Sequence, residues 1–191
     1  MEFLPLTIDG RRVHVGFWSR FLAGTVDGLI LVPIALLYFL ASTVNWWLSL
    51  AIVLPQTWFF AMYHVSFNAV LGGTPGKLLM GLRITCPDGS AIGWREAWLR
   101  SCVDVGIAFC HALLQIWILI QVGPSAFNAL PWPRAAEPSG VVLIVLGVLL
   151  GLQYVWAFGE LVTLLFNKRK RALHDLIGGT VVIYKAFAKD A

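Results

Sequence analysis

The chain has 191 residues, of which 59% are hydrophobic and 13% charged, and its mean hydropathy is +0.79. Soluble domains carry about 25% charged residues, and a soluble chain this apolar would expose large aggregating patches, so the composition excludes an ordinary soluble protein. The net charge of +4 needs no nucleic acid to explain it, because no groove-reading helix or aromatic platform accompanies the basic residues.

The predicted elements begin with an N-terminal hairpin, because residues 4–8 and 11–15 flank Asp9-Gly10, a turn-forming pair. We expect no cleavable signal peptide before the first apolar helix, and we expect this helix to be retained as a signal-anchor. Four apolar stretches follow, each long enough to cross about 30 Å of hydrocarbon. They lie at residues 21–41, 46–70, 98–122 and 140–166.

The connecting segments carry signals of their own. In the loop 71–97 and the tail 167–191, the β-prone runs are 83–86, 91–93 and 180–184, and the predicted short interfacial helices are 74–82 and 172–177. The loop 123–139 contains four prolines and is expected to lack regular structure. The prediction is therefore a single all-α membrane domain over residues 1–191. It is a four-transmembrane-helix bundle with a small cytoplasmic β element.

Orientation is predicted from the basic residues. Thirteen of the fourteen lysines and arginines fall in the N-terminal segment, the loop 71–97 with the adjoining start of the third span, and the tail, while Arg134 alone falls on the other side. The positive-inside rule places both termini in the cytoplasm and the protein in the cytoplasmic (inner) membrane. Five basic residues are expected to meet anionic lipid headgroups. They are Lys77, Lys168, Arg169, Lys170 and Arg171.

Each ionisable residue inside a span is expected to have a structural or functional role, because burying a charge at a helix centre costs roughly 2.5–3.5 kcal/mol. Asp27, Asp104 and Glu160 are all predicted to lie roughly 6–10 Å into the cytoplasmic leaflet. Two interpretations stay open: a cation or proton site, or a structural cluster in which Arg20 neutralises Asp27 and Arg100 neutralises Asp104. The full candidate set comprises Arg20, Asp27, Arg100, Asp104, His111, Glu160 and Asp175.

Several motifs together resemble the RDD family of membrane proteins, which is named for one arginine and two aspartates. They are Gly16-Phe17-Trp18-x-Arg20, Asp27, Thr74-Pro75-Gly76-Lys77, Gly81-Leu82-Arg83, Asp88-Gly89 and Leu173-His174-Asp175-Leu176-x-x-Gly179-Thr180. The resemblance covers most of the chain and makes Arg20, Asp27 and Asp175 the named triad. It implies a membrane fold and, more loosely, transport, since transport has been proposed for the family and some members look like cation/proton antiporters.

Two classes of function follow. The first is a transporter or transport subunit that moves a small cation, or another small solute, against protons. The second is a non-catalytic membrane scaffold or accessory subunit of a larger complex. An enzyme is not expected, because no nucleophile–base pair or metal-ligand set has recognisable spacing. No cofactor or metal is expected, and Cys86, Cys102 and Cys110 are interpreted as packing residues. The expected partners are anionic lipid and a second copy or partner membrane protein, with no nucleic acid.

Overall fold

The computed structural model describes residues 3–132 and 139–189. Four of its helices are long and apolar enough to span a membrane, which confirms the predicted four-helix architecture. In chain order the elements are β1 (Thr7–Ile8), β2 (Arg11–Arg12), α1 (Phe17–Ser42), α2 (Trp46–Leu71), α3 (Pro75–Leu79), β3 (Leu82–Thr85), α4 (Trp94–Ala129), α5 (Gly140–Phe166), α6 (Leu173–Ile177) and β4 (Val181–Tyr184), followed by a 3-10 turn (Lys185–Phe187).

The third long helix, α4, extends beyond its predicted ends. At Gly123 the backbone leaves helical geometry (φ 71°, ψ 165°), and a new helical segment starts at Pro124. Proline suits the first turn of a helix, where its missing N–H would have no partner. The expectation that residues 123–139 lack regular structure is therefore wrong for 124–129. Residues 133–138, with Arg134, lie outside the described residues.

The chain forms two compact units. The first, here called the terminal unit, comprises Met1–Ile30, Met62–Val103 and Trp156–Ala191. The second unit comprises Leu31–Ala61 and Asp104–Val155. The terminal unit thus contains both ends of the chain, the loop between α2 and α4, and the adjoining ends of all four long helices.

The second unit has its own apolar core, built around Trp46 at the start of α2. This ring clusters with Val53, Ala112, Leu119 and Phe127, all buried. The indole N–H donates to the carbonyl of Leu119 (2.7 Å), so the polar atom of the buried ring is satisfied. These contacts tie α2 to α4 within the unit.

The terminal unit contains the predicted β element. β1 and β2 form a hairpin whose turn residues, Asp9 and Gly10, both have positive φ (48° and 75°), as a type I′ turn requires. β3 pairs antiparallel with β4, residue 82 opposite 184, and His14 and Ala91 add single bridges to this pair. The β-prone loop segment therefore finds its main partner in the C-terminal tail.

The paired strands β3 and β4 form the core of the terminal unit. Leu82, Ile84 and Val182 are fully buried and cluster with Ala23 of α1 and Val65 of α2. The two predicted short helices are present as α3 and α6, each five residues long. Helices this short are unstable alone, so packing on this core must hold them in place.

Candidate functional site

Asp175, in α6, lies at the centre of an ionic network inside the terminal unit. Its carboxylate is completely buried and meets Arg20 of α1 at 2.6 Å and Arg100 of α4 at 3.1 Å. Arg20 also donates to the carbonyl of Lys170 (2.6 Å), and Arg100 to the hydroxyl of Thr180 (3.1 Å). One carboxylate therefore links two membrane helices to the C-terminal tail.

Local structure in the tail positions this carboxylate. Its Oδ2 accepts the backbone N–H of Ala172 (3.1 Å) from the start of α6, as an acidic residue in a capping box does. Arg171 donates to the carbonyls of Asp175 and Thr180, both at 2.9 Å. Gly178 lets the tail reach α4, since a Cβ there would lie 2.8 Å from Cβ of Arg100.

The charge of Asp175 is maintained by its neighbours. Burial alone would raise the pKa of this carboxyl, but Arg20, His174 and Arg100 outweigh it and hold the pKa well below its usual range. A buried charge is tolerated when it is paired and hydrogen-bonded. Asp175 is therefore ionised at any physiological pH.

Asp27, in α1, has different partners. Its carboxylate, buried within the same unit, accepts hydrogen bonds from the hydroxyl of Thr74 (2.5 Å), the backbone N–H of Gly76 (2.7 Å) and the hydroxyl of Tyr63 (3.1 Å). Gly76 is needed for this approach, because a Cβ would overlap the carbonyl oxygen of Ala23 and lie 2.9 Å from the Asp27 carboxyl carbon. Asp27 therefore anchors α3 to α1.

Lys77 lies beside this anchor. Its ammonium donates to the Thr74 hydroxyl (3.3 Å), and burial together with the positive charge of Arg100 lowers its pKa to about 8, although Asp27 acts in the opposite direction. Its contacts are thus to protein groups. The predicted role of Lys77 at lipid headgroups stays a prediction.

Glu160, in α5, is hydrogen-bonded to Nδ1 of His174, and Nε2 of the same ring lies 3.4 Å from Asp175. Burial opposes protonation of His174, but Asp175 and Glu160 outweigh burial and Arg100, so the pKa of the imidazole is raised. His174 therefore connects a carboxylate on a membrane helix to the buried network.

The Glu160–His174 pair lines a groove of about 230 Å³. The rest of the lining is apolar apart from Arg20, and it comes from the start of α1, the end of α5 and the tail. These residues are Phe17, Phe21, Ala157, Leu161, Leu164 and Ala172. The groove thus combines aromatic and aliphatic walls with one carboxylate–imidazole pair.

The predicted ionisable set is only partly brought together. Arg20, Arg100, Glu160 and Asp175 form one connected network through His174. The side chain of Asp104 is exposed and belongs to the second unit. His111 also belongs to the second unit, and its Nε2 is buried with no hydrogen-bond partner among the described residues.

The predicted pairing of Arg20 with Asp27 is wrong. Both Arg20 and Arg100 instead pair with Asp175, 155 and 75 residues away along the chain, and Asp27 is held by neutral donors. Arg100 also meets Asp175, and its expected neutralisation of Asp104 stays a prediction. Helical spacing places residues on one face of one helix, but it carries no information about a partner from another segment.

The basic run after α5 is also engaged by the protein. The guanidinium of Arg169 lies over the ring of Phe3 (4.2 Å), Lys170 donates to the carbonyl of Leu165 (2.8 Å), and Lys168 is exposed. These contacts leave the predicted headgroup role of Lys168, Arg169, Lys170 and Arg171 untested.

Sequence reasoning missed Tyr63 and Gly178, and it named His174 and Thr180 as motif residues without their contacts. Three of these follow or lie within the C-terminal motif, so their presence in one short block was an available signal. Tyr63 gave none, because a tyrosine inside a span is common near membrane interfaces. Within residues 3–132 and 139–189, no three His, Cys, Asp or Glu side chains are grouped closely enough to hold a metal ion, and the three cysteines are free.

Four apolar spans define a multi-pass integral membrane protein. The model of the RDD family matches residues 14–179, and the chain belongs to this family. No curated protein and no solved structure gave a significant match.

Proposed function

We propose that this protein is a proton-linked transporter, or a transport subunit, for small cations. The observation that carries the proposal is the Glu160–His174 pair, which lines a groove and touches the Asp175 network. A carboxylate–imidazole pair can exchange a proton for a cation, because the binding of a proton and the binding of a cation each compensate the negative charge of the carboxylate.

The network provides a route for coupling. Asp175 is shared by His174, Arg20 and Arg100, so a change of charge on His174 alters the balance that holds α1, α4 and α6 together. Coulomb interactions between buried groups a few ångströms apart amount to several kcal/mol. Proton binding at the groove is thereby linked to the packing of membrane helices, as an alternating conformational change requires.

The proposed setting is the cytoplasmic membrane, with both termini in the cytoplasm. It is supported by the thirteen basic residues that the sequence places on the side of the termini. The groove and its ionic network would then face the cytoplasmic leaflet, where protons and solutes of the cell interior are available.

A membrane scaffold or accessory subunit is the second candidate. It is favoured by the saturation of Asp27 and Asp175, whose oxygens are occupied by donors from other elements. Carboxylates held in this way pin the loop and tail to the helices and are poorly placed to exchange ligands. Under this alternative, the apolar exterior of the helices would be covered by a partner protein.

The test is cation-driven proton movement in proteoliposomes that contain a pH-sensitive dye. A preset pH gradient is challenged with Na⁺, Li⁺, K⁺ and phenyltrimethylammonium, and wild type is compared with Glu160→Gln. Glu96→Gln is the matched control, because Glu96 caps the start of α4 through Gly93 (3.0 Å) and does not line the groove.

We expect at least one cation to dissipate the gradient, with a loss of about tenfold or more in Glu160→Gln and near-normal flux in Glu96→Gln. Removing one essential proton-exchanging group commonly costs about 10²–10⁴-fold in enzymes, so tenfold is a conservative threshold. Equal flux in both variants, or no response to any of the four cations in folded wild type, would contradict the transport proposal. The membrane scaffold or accessory subunit would then be the remaining candidate.

A further inference from the structure

We infer that the groove between α1, α5 and the tail binds an organic ammonium ion that carries an apolar group. The claim that this ammonium is the transported substrate rests on the proposed function. The claim that the groove binds an ammonium depends only on the residues that line the groove.

The walls of the groove favour an apolar substituent. Phe17 and Phe21 stack with ring centroids 5.8 Å apart, and both line the groove together with Leu161 and Leu164. Aromatic rings attract quaternary and primary ammonium groups through the negative face of the ring. An inorganic ion has no apolar group to pack against these walls, so an organic ammonium uses more of this surface.

The charges of the lining favour a cation over an anion. The guanidinium of Arg20 is occupied by Asp175 at 2.6 Å, a carboxylate that Arg100 shares, and its second nitrogen donates to the Lys170 carbonyl. Glu160, by contrast, is paired with His174, which is uncharged whenever its ring is deprotonated. An anion would have to face the Glu160 carboxylate, whereas an ammonium can take the place of the imidazole beside it.

The donor set disfavours a metal ion. A hard cation such as Ca²⁺ takes about six to eight oxygen ligands, and the only carboxylate lining the groove is Glu160. The described part of the chain contains no cluster of three potential ligands. One carboxylate with aromatic neighbours suits an organic ammonium, whose charged nitrogen carries carbon substituents and needs few oxygen ligands.

The size of the groove limits the ligand further. Its volume of about 230 Å³ is below the roughly 300–1,000 Å³ of pockets for drug-sized ligands. The occupant is therefore a small ammonium with one ring or a short alkyl chain. It comes either from a free amine or from the ammonium headgroup of a membrane lipid, since the same groups recognise both.

The experiment is equilibrium dialysis of radiolabelled phenyltrimethylammonium against the full-length protein in nanodiscs. The bilayer is phosphatidylglycerol alone, which carries no ammonium group, and empty nanodiscs give the background. We expect saturable binding that is weakened tenfold or more in Glu160→Gln and is unchanged in Glu96→Gln. Phe17→Leu keeps the wall apolar but removes a ring, and it should weaken binding about two- to fivefold.

Three results would overturn the inference. They are no saturable binding to folded wild type, equal affinity in wild type and Glu160→Gln, and tighter binding of benzoate than of phenyltrimethylammonium. Each variant is first checked for wild-type elution and helical content. If Glu160→Gln does not fold, Phe17→Leu decides, because full affinity in that variant would contradict an aromatic ammonium site.

A second arm identifies the source of the ammonium. Phosphatidylethanolamine is added to the bilayer at increasing fractions. Competition with the radiolabelled probe assigns the groove to a lipid headgroup, and unchanged binding assigns it to a free solute.

Failure of this inference is distinguishable from failure of the proposed function. Glu160-dependent binding without cation-driven proton movement would retain the site and remove transport. Glu160-dependent proton movement with Na⁺, Li⁺ or K⁺ but no ammonium binding would retain transport and remove the inference.

Discussion

Three acidic side chains of the terminal unit, Asp27, Glu160 and Asp175, differ in what holds them. Asp175 faces two guanidinium groups, Asp27 accepts from two hydroxyls and a backbone N–H, and Glu160 has a single imidazole partner. A carboxylate with several fixed donors loses them all when it changes partner, whereas one with a single titratable donor can exchange it at little cost. Under the proposed function, the partner of each carboxylate, and not its depth in the membrane, would decide whether it can exchange a proton.

Replacing Asp175 by Asn should destabilise the fold. Arg20 and Arg100 would lose their common counter-ion and remain buried close to each other. Removing one partner of a buried ion pair costs about 3–5 kcal/mol, and we expect a loss of this size in denaturant unfolding in mixed micelles. Asp9→Asn is the control, since Asn also suits its turn position at φ 48°. Unchanged stability of Asp175→Asn would show that the pair is not needed for folding.

His174 and His14 should change the free energy of unfolding with pH in opposite directions. The pKa of His174 is raised, so its contribution is complete below about 6.5 and is lost as pH rises through the higher folded value. The pKa of His14 is lowered by burial and by Arg169 and Arg20, so its effect is a loss of stability as pH falls below about 6.5.

The measurement is unfolding free energy between pH 5 and 9 for wild type, His174→Gln and His14→Gln. We expect His174→Gln to remove the decline on the alkaline side and His14→Gln to remove the decline on the acid side. Parallel curves for all three proteins would refute the assigned shifts.

At this scale the sequence located the candidate residues but not their pairs. Arg20, Asp27 and Asp175 could be singled out by motif, and Glu160 by its cost inside a span. The contact between Arg20 and Asp175 spans 155 residues, and no local spacing encodes it. Glu160 could be singled out by depth, but its contact with His174 could not.

The short elements illustrate how tertiary contacts stabilise what local propensity cannot. α3 and α6 are five residues each, well below the roughly 12–15 residues at which isolated helices become marginally stable. Asp27 accepts the Gly76 N–H at the start of α3, and Asp175 accepts the Ala172 N–H at the start of α6. Asp27 and Asp175 thus each cap the start of a short helix, Asp27 from another helix and Asp175 from within its own.

Gly76→Ala should detach α3 from α1. The added Cβ would overlap the Ala23 carbonyl oxygen and crowd Asp27, and forced overpacking costs about 1–3 kcal/mol. The readout is the unfolding free energy in micelles, together with protease sensitivity of the loop around residue 80. Gly147→Ala is the matched control, because nothing lies within 4 Å of a Cβ there. Equal losses in both variants would contradict the role of Gly76 in close approach.

The long helices were predictable because hydropathy and length are properties of a single segment. The ends of these helices were less predictable. The third span was predicted at residues 98–122, whereas α4 starts at Trp94 and continues past the break at Gly123 to Ala129. The strand partner of β3 was also unpredictable, because β4 follows it by about a hundred residues and a nearer β-prone run was available.

For the molecule as a whole, the two units differ in what they contain. The terminal unit includes the β element, the short helices and the ionic network, while the second unit includes an apolar core with Trp46. Ionisable chemistry is thus concentrated in the part of the protein that includes both termini.

The predicted orientation can be tested with single cysteines in a cysteine-free background. Thr7→Cys, in β1, and Ser139→Cys, just before α5, are both at exposed positions. If the termini are cytoplasmic, a membrane-impermeant maleimide added to intact cells should label position 139 within minutes and label position 7 only after permeabilisation. The reverse pattern would invert the topology and place the groove on the outer side.

Composition and segment hydropathy alone determined that this chain is a four-span membrane protein, because the cost of exposing backbone and charge to hydrocarbon leaves a long apolar segment little alternative to a helix. Motif order was enough to suggest its family. Only the tertiary structure decided that Asp175 pairs with both Arg20 and Arg100, that Asp27 holds α3, and that Glu160 meets His174 beside a groove. These contacts join segments far apart in sequence, and their energies depend on which donors the packed core brings within a few ångströms of each carboxylate.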